Sequence, residues 1–128
     1  MNEKILFVIN PVSGKKSKDY IPGLIKQIFT DGIYDIKITY TSSSGEATQI
    51  VKQYFNQGYK KVVAVGGDGT VNEVASAITE TDGVLGIVPT GSGNGLARHL
   101  KIPMNVRKSL VIIEKGHHSF TFCISSKK

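Results

Sequence analysis

The sequence predicts an α/β domain with a mainly parallel sheet covered by helices on both faces. Three observations carry that expectation. Short apolar runs alternate with amphipathic stretches along the chain, the pattern of strand–helix–strand units in which parallel strands are joined by crossover helices. Four loops rich in Gly, Ser, Thr and Asn (10–14, 41–45, 66–70 and 89–95) each follow a predicted strand. Finally, 128 residues with 40% hydrophobic and 20% charged content suit one soluble domain with a proper core.

In chain order, Lys4 to Ile9 (KILFVI) reads as a buried strand stopped by Asn10-Pro11-Val12-Ser13-Gly14, because proline cannot join a central ladder and glycine supplies a turn. From Asp19 to Phe29, apolar residues at Ile21, Leu24, Ile25 and Ile28 have helical spacing, with Pro22 tolerated in the first turn. Tyr34 to Tyr40 alternates apolar or aromatic with polar residues, a strand with a wetter face near the sheet edge. The hydroxyl-rich loop Thr41-Ser42-Ser43-Ser44-Gly45 precedes a helix from Glu46 to Gln57 closed by Gly58, and Ser43 with Glu46 has capping-box spacing.

The segment Lys60 to Ile78 (KKVVAVGGDGTVNEVASAI) organises the rest. Val62 to Val65 is a strand, Gly66-Gly67-Asp68-Gly69 a turn, and Thr70 opens a helix, with Glu73 completing a second capping-box spacing. The three glycines are expected to allow positive φ and close approach of backbone amides to a ligand. Those amides, at the positive end of a helix dipole, form a phosphate site. Asp68 beside them suits a Mg²⁺ ion lying between its carboxylate and the phosphates. The spacing is neither a Walker A loop nor a G-x-G-x-x-G fingerprint, since Asn72 stands where the latter needs its last glycine.

Val84 to Val88 is a further strand ended by Pro89, and Thr90 to Arg98 a second glycine-rich strand-to-helix loop. Asn105 to Lys115 reads as a helix with Val106, Leu110 and Ile113 on one face, and Ser119 to Ile124 as a last strand. Because ligands of such sheets bind beyond the carboxyl ends of the strands, the four special loops converge on one cleft.

A net charge of +6 favours anionic partners. The basic residues are scattered without an interleaved aromatic stripe, which argues against nucleic acid. Cys123 is the only cysteine, so there is no internal disulfide or cysteine-based metal site. Adjacent His117 and His118 would point to opposite faces of a strand and are not expected to share a metal. The chain has no signal-peptide core and no run of transmembrane length. A cytoplasmic protein is expected, one that meets any lipid substrate at the membrane surface.

The stretches NPVSG (10–14), TSSSGEA (41–47), GGDGTVNEV (66–74) and PTGSGNGLAR (89–98), in this order and spacing, resemble the catalytic domain of the diacylglycerol kinase family, which includes soluble bacterial lipid kinases and sphingosine kinases. The resemblance covers Lys4 to about Gly116. It implies a three-layer α/β/α nucleotide-binding domain followed by a second, mainly β, lipid-binding domain. It also implies that ATP meets Asn10, Pro11, Ser13, Gly14, Thr41, Gly66, Gly67, Asp68, Gly69, Thr70, Asn72, Gly91, Ser92, Gly93 and Asn94, with Asp68 tied to Mg²⁺-ATP and activity. The implied reaction is transfer of the γ-phosphate to a lipid hydroxyl of diacylglycerol or a sphingoid base. Two departures stand out: Ser92 and Gly95 replace the Thr and Asp common in bacterial members. The segment Phe120 to Cys123 lacks the family's acidic residue, and the second domain is expected to be absent. On that expectation the 128 residues are inactive alone, and Phe120, Phe122 and Ile124 form an apolar surface able to drive a homodimer. A NAD-kinase-like phosphotransferase and a non-catalytic nucleotide-binding module are the alternatives.

Overall fold

The structure, a computed structural model, describes residues 2–12, 17–30, 32–90, 95–99, 101–102, 104–115 and 124–125. Its elements are β1 (Glu3–Ile9), α1 (Ile21–Ile28), β2 (Tyr34–Tyr40), α2 (Glu46–Phe55), β3 (Lys61–Gly66), α3 (Asp68–Ile78), β4 (Val84–Pro89), α4 (Gly95–His99), α5 (Val106–Lys115) and β5 (Ile124–Ser125). The strands lie in the order β2-β1-β3-β4-β5. The first four are parallel, while β5 pairs antiparallel to β4 through Val84–Ser125 and Leu85–Ile124. β2 is an edge strand, as its alternation predicts.

Strand pleating sends successive side chains to opposite faces, so each central strand feeds two cores. Leu6 and Val8 of β1, with Val62 and Ala64 of β3 and Leu85 and Ile87 of β4, pack under Ala47 and Val51 of α2 and Val71, Val74 and Ile78 of α3. Ile5, Phe7, Ile9, Val63, Val65 and Val88 face the other way, onto Ile21 and Ile25 of α1 and Leu110 and Ile113 of α5. The result is three layers, α1/α5 over the sheet over α2/α3. Strands covered on both sides must be apolar throughout, and all five residues Ile5 to Ile9 are completely buried. Burying each such side chain contributes about 1.5–3 kcal/mol.

Aromatic contacts tie β1 to the two elements that follow it: Phe29, just past α1, meets Phe7 of β1 and Tyr34 of β2 edge-on at centroid distances of 5.5 and 5.2 Å. The Tyr34 hydroxyl donates to Glu114 of α5 at 2.8 Å, pinning the edge strand to the helix layer. Burial, with Asp35 adding to it, pushes the Tyr59 hydroxyl above its ordinary pKa of 10.0. Gly58, at φ +96°, ends the turn after α2 in the left-handed conformation.

Two local expectations are corrected. Thr70 does not open α3: the helix begins at Asp68, with Gly67 in extended conformation as its N-cap and no side-chain cap. The Gly67 carbonyl already accepts the Val71 amide at 3.1 Å, so Thr70 lies inside the first turn. The Ser43–Glu46 capping box is absent too: Gly45, at φ +86°, is the N-cap of α2 with no side-chain cap of its own, and the Glu46 carboxylate accepts from the amide and hydroxyl of Ser42. The expectations for His117, His118, Phe120, Phe122 and Cys123 fall outside the described residues, as does most of the predicted last strand.

Candidate active site

β1 runs to β2 through α1 on one face, whereas its neighbour β3 runs the other way to β4 through α3 on the opposite face. The two connections therefore diverge above the carboxyl ends of β1 and β3, the switch point where open α/β sheets leave a crevice. A cleft of about 290 Å³ lies there, lined by Asn10 and Val12 after β1, Thr41 to Ser44 after β2, and Gly69, Thr70 and Glu73 of α3.

Its floor is an extension of the sheet ladder. The Asn10 amide donates to the Val65 carbonyl and the Thr41 amide to the Ile9 carbonyl, each at 2.9 Å. The Asn10 Oδ1 accepts the Val12 amide at 3.0 Å, an Asx turn that reverses the chain after β1 and leaves Val12 82% exposed at the rim. Thr41 is buried, while Ser42 to Gly45 are exposed and present a row of hydroxyl groups.

The glycine turn after β3 is built differently from its expected form. Among the described glycines only Gly32, Gly45 and Gly58 have positive φ, so Gly66, Gly67 and Gly69 are not there for a left-handed backbone. Gly66 is required by close approach: a Cβ at that position would stand 2.8 Å from Thr70 Oγ1 and 3.4 Å from Asn10 Cβ. A Cβ at Gly67 or Gly69 would meet nothing within 4 Å, so these two keep space open in front of the α3 amides. A helix start of this kind, with N–H groups that its own helix cannot satisfy and the positive end of its dipole, favours an anion.

Asp68, the first residue of α3, is exposed, and its Oδ1 accepts the Gly95 amide at 2.9 Å. It thereby joins the loop after β3 to the start of α4 after β4, the two glycine-rich segments. Glu73 does not cap its own helix. Its Oε2 accepts the Gly45 amide at 2.9 Å and its Oε1 the Ala47 amide at 3.3 Å, so it caps α2 instead. The Thr48 hydroxyl returns the connection, donating to the Glu73 carbonyl at 3.0 Å.

The structure thus brings Asn10, Thr41, Gly69 and Thr70 into one cleft. Gly66 lies behind Thr70. Pro11, Gly67, Asp68 and the exposed Asn72 are not among the lining residues. Ser13, Gly14, Gly91, Ser92, Gly93 and Asn94 lie outside the described residues. The sequence placed the loops 10–14, which include Val12, and 41–45 at the cleft, but Ser42, Ser43 and Ser44 were not named individually as site residues and Glu73 was missed. The serines carried a usable signal, since they continue the loop that Thr41 begins. Glu73 carried a misleading one, because its spacing from Thr70 suggested a local cap. Among the described residues no group of three or more His, Cys, Asp or Glu side chains is placed to hold a metal ion, and no helix is long and apolar enough to cross a membrane.

Residues 4–123 match the diacylglycerol kinase catalytic domain. The chain belongs to this family. Similar proteins include diacylglycerol kinases of Staphylococcus aureus strains bovine RF122 / ET3-1 and JH9, each 32% identical over 120 residues, a span that is 91% of this chain and 38% of theirs. The fold is likewise similar to the crystal structure of a diacylglycerol kinase from Bacillus anthracis str. Sterne, with a TM-score of 0.74 and 28% identity, covering 90% of this chain and 40% of that one. The family's α/β fold is therefore that of this chain, which spans less than half the length of these relatives.

Proposed function

We propose that this chain is the nucleotide-binding part of a lipid kinase, which transfers the γ-phosphate of ATP to a hydroxyl of diacylglycerol or a sphingoid base. The observation that carries the reading is the convergence of the loops after β1, β2 and β3 on one cleft at the switch point of the sheet, in a chain of the diacylglycerol kinase catalytic family.

Phosphoryl transfer needs in-line positioning and neutralisation of the phosphate charge more than covalent help from the protein. The α3 N-terminus supplies amides for the phosphates, and Gly67 and Gly69 leave room for them. Asp68 fits a Mg²⁺ ion that takes one carboxylate and draws its remaining ligands from phosphate and water, since it is exposed at the helix start, with its Oδ1 accepting the Gly95 amide. Bound there, Mg²⁺ would supply charge neutralisation at the β- and γ-phosphates. The acceptor hydroxyl would be met by the part of the relatives' length that this chain does not span, so residues 1–128 by themselves would bind nucleotide and transfer little phosphate. On this reading the lipid is reached at the membrane surface from the cytoplasmic side, with a homodimer as the form tested by sedimentation over a wide concentration range.

The test is an amide chemical-shift titration with Mg²⁺-ADP. Shifts at Asn10, Thr41 and Gly66 to Thr70 are expected, with Asp68→Asn weakening binding at least about tenfold (~1.4 kcal/mol) and removing its Mg²⁺ dependence. Asparagine keeps an acceptor for Gly95, so the fold should persist. No shifts at millimolar nucleotide would refute the reading for these residues.

A further inference from the structure

We infer that Glu73 is a positioning residue: by capping α2 from α3, it sets the separation between the phosphate-facing turn and the serine loop that forms the opposite wall of the cleft. The inference rests on the nucleotide reading above. Gly69, Thr70 and Glu73 all line the cleft from α3, one helical turn apart, so the residue that grips the far wall belongs to the same rigid helix that presents the phosphate amides. The grip is specific. Gly45 and Ala47 at the start of α2 donate to the two oxygens of one carboxylate, and the positive φ of Gly45 belongs to the backbone that brings its amide to Glu73. Ser44 adds a longer contact, its hydroxyl 3.5 Å from Oε2.

The wall is tied at its ends by the Thr41 amide on the Ile9 carbonyl, by the Thr48 hydroxyl on the Glu73 carbonyl and by the packing of Ala47 against α3. Between those ends its hold across the cleft is the Glu73 carboxylate. Ser42 to Gly45 are exposed and bury no apolar side chain. Their other restraints are local: Ser42 to Glu46, and the Glu46 amide to the Ser43 carbonyl at 3.3 Å. The same carboxylate occupies amides at the α2 N-terminus. Of the two helix starts at the cleft, α3 is therefore the one left to attract a phosphate, and the wall facing it carries the serine hydroxyl groups.

The experiment compares Glu73→Ala and Glu73→Gln in the full chain, reading amide hydrogen exchange at Gly45 and Ala47 without ligand and the Kd for Mg²⁺-ADP. Alanine is expected to raise exchange at both amides by about tenfold or more and to weaken binding by about tenfold. Glutamine keeps one acceptor oxygen and should recover most of both. Weakened binding with unchanged exchange would mean that Glu73 acts by touching the ligand, and raised exchange with unchanged binding that it is only a cap. Either result overturns the inference. If the unaltered chain binds no Mg²⁺-ADP, the nucleotide reading fails, while exchange at Gly45 and Ala47 still decides whether Glu73 holds the wall.

Discussion

Replacing Gly66 with alanine puts a methyl group 2.8 Å from Thr70 Oγ1, 3.0 Å from Thr70 Cβ and 3.4 Å from Asn10 Cβ. Non-bonded carbon contacts are comfortable at roughly 3.5–4.0 Å, so the clash with Thr70 is several tenths of an ångström. Thr70 cannot turn away cheaply, because it is buried in the first turn of α3 and held on a helix packed against the sheet. Overpacking of this kind costs about 1–3 kcal/mol. With a urea slope of about 1.5 kcal/mol/M, that lowers the midpoint of unfolding by roughly 1 M. Gly67→Ala and Gly69→Ala are the internal controls. They lie in the same turn, but their added Cβ meets no atom within 4 Å and neither has a positive φ. Their stability should stay within about 0.5 kcal/mol of the parent, while their methyl groups enter the space proposed for phosphate and weaken Mg²⁺-ADP binding about tenfold or more. Urea unfolding and nucleotide titration on the three variants therefore separate two roles of glycine within four residues. A Gly66→Ala protein as stable as the parent, or a Gly69→Ala protein less stable than Gly66→Ala, would refute the packing argument.

Two further outcomes follow from the same geometry. Gly83→Ala should lose about 1–3 kcal/mol in urea unfolding without changing nucleotide affinity, because its Cβ would stand 2.9 Å from both Ile78 Cβ and Phe55 Cε1, at the opposite end of the sheet from the cleft. Glu46 gives a pH signature: the Ser42 amide and hydroxyl hold its carboxyl below the ordinary value of 4.5. The folded state thus binds that proton less readily than the unfolded chain. The contribution is present above 4.5 and is lost as pH falls through the lower folded value. Unfolding midpoints followed from roughly pH 6 to pH 3 should fall less steeply for Glu46→Gln than for the parent, and parallel curves would refute the assignment.

The layers were legible because they depend on local pattern. A run such as Ile5 to Ile9 is apolar at every position because helices cover both its faces, and Tyr34 to Tyr40 alternates because it is the edge. Parallel strands also place every loop that follows a strand at one edge, so the shared location of the segments after β1, β2 and β3 was predictable before any coordinate. Tertiary structure alone decided which groups answer one another across elements. The spacing of Thr70 and Glu73 shows that the two are able to meet on one helix, but a carboxylate goes to the nearest donors in space, and α2 packs beside α3 with Gly45 and Ala47 at its open end. Asp68 likewise meets Gly95, far along the chain. Gly66 is a glycine for the sake of a side chain four residues on, a reason invisible to any rule about turns. Sequence determines which conformations each segment prefers; the packing distance between segments determines which polar groups must satisfy each other.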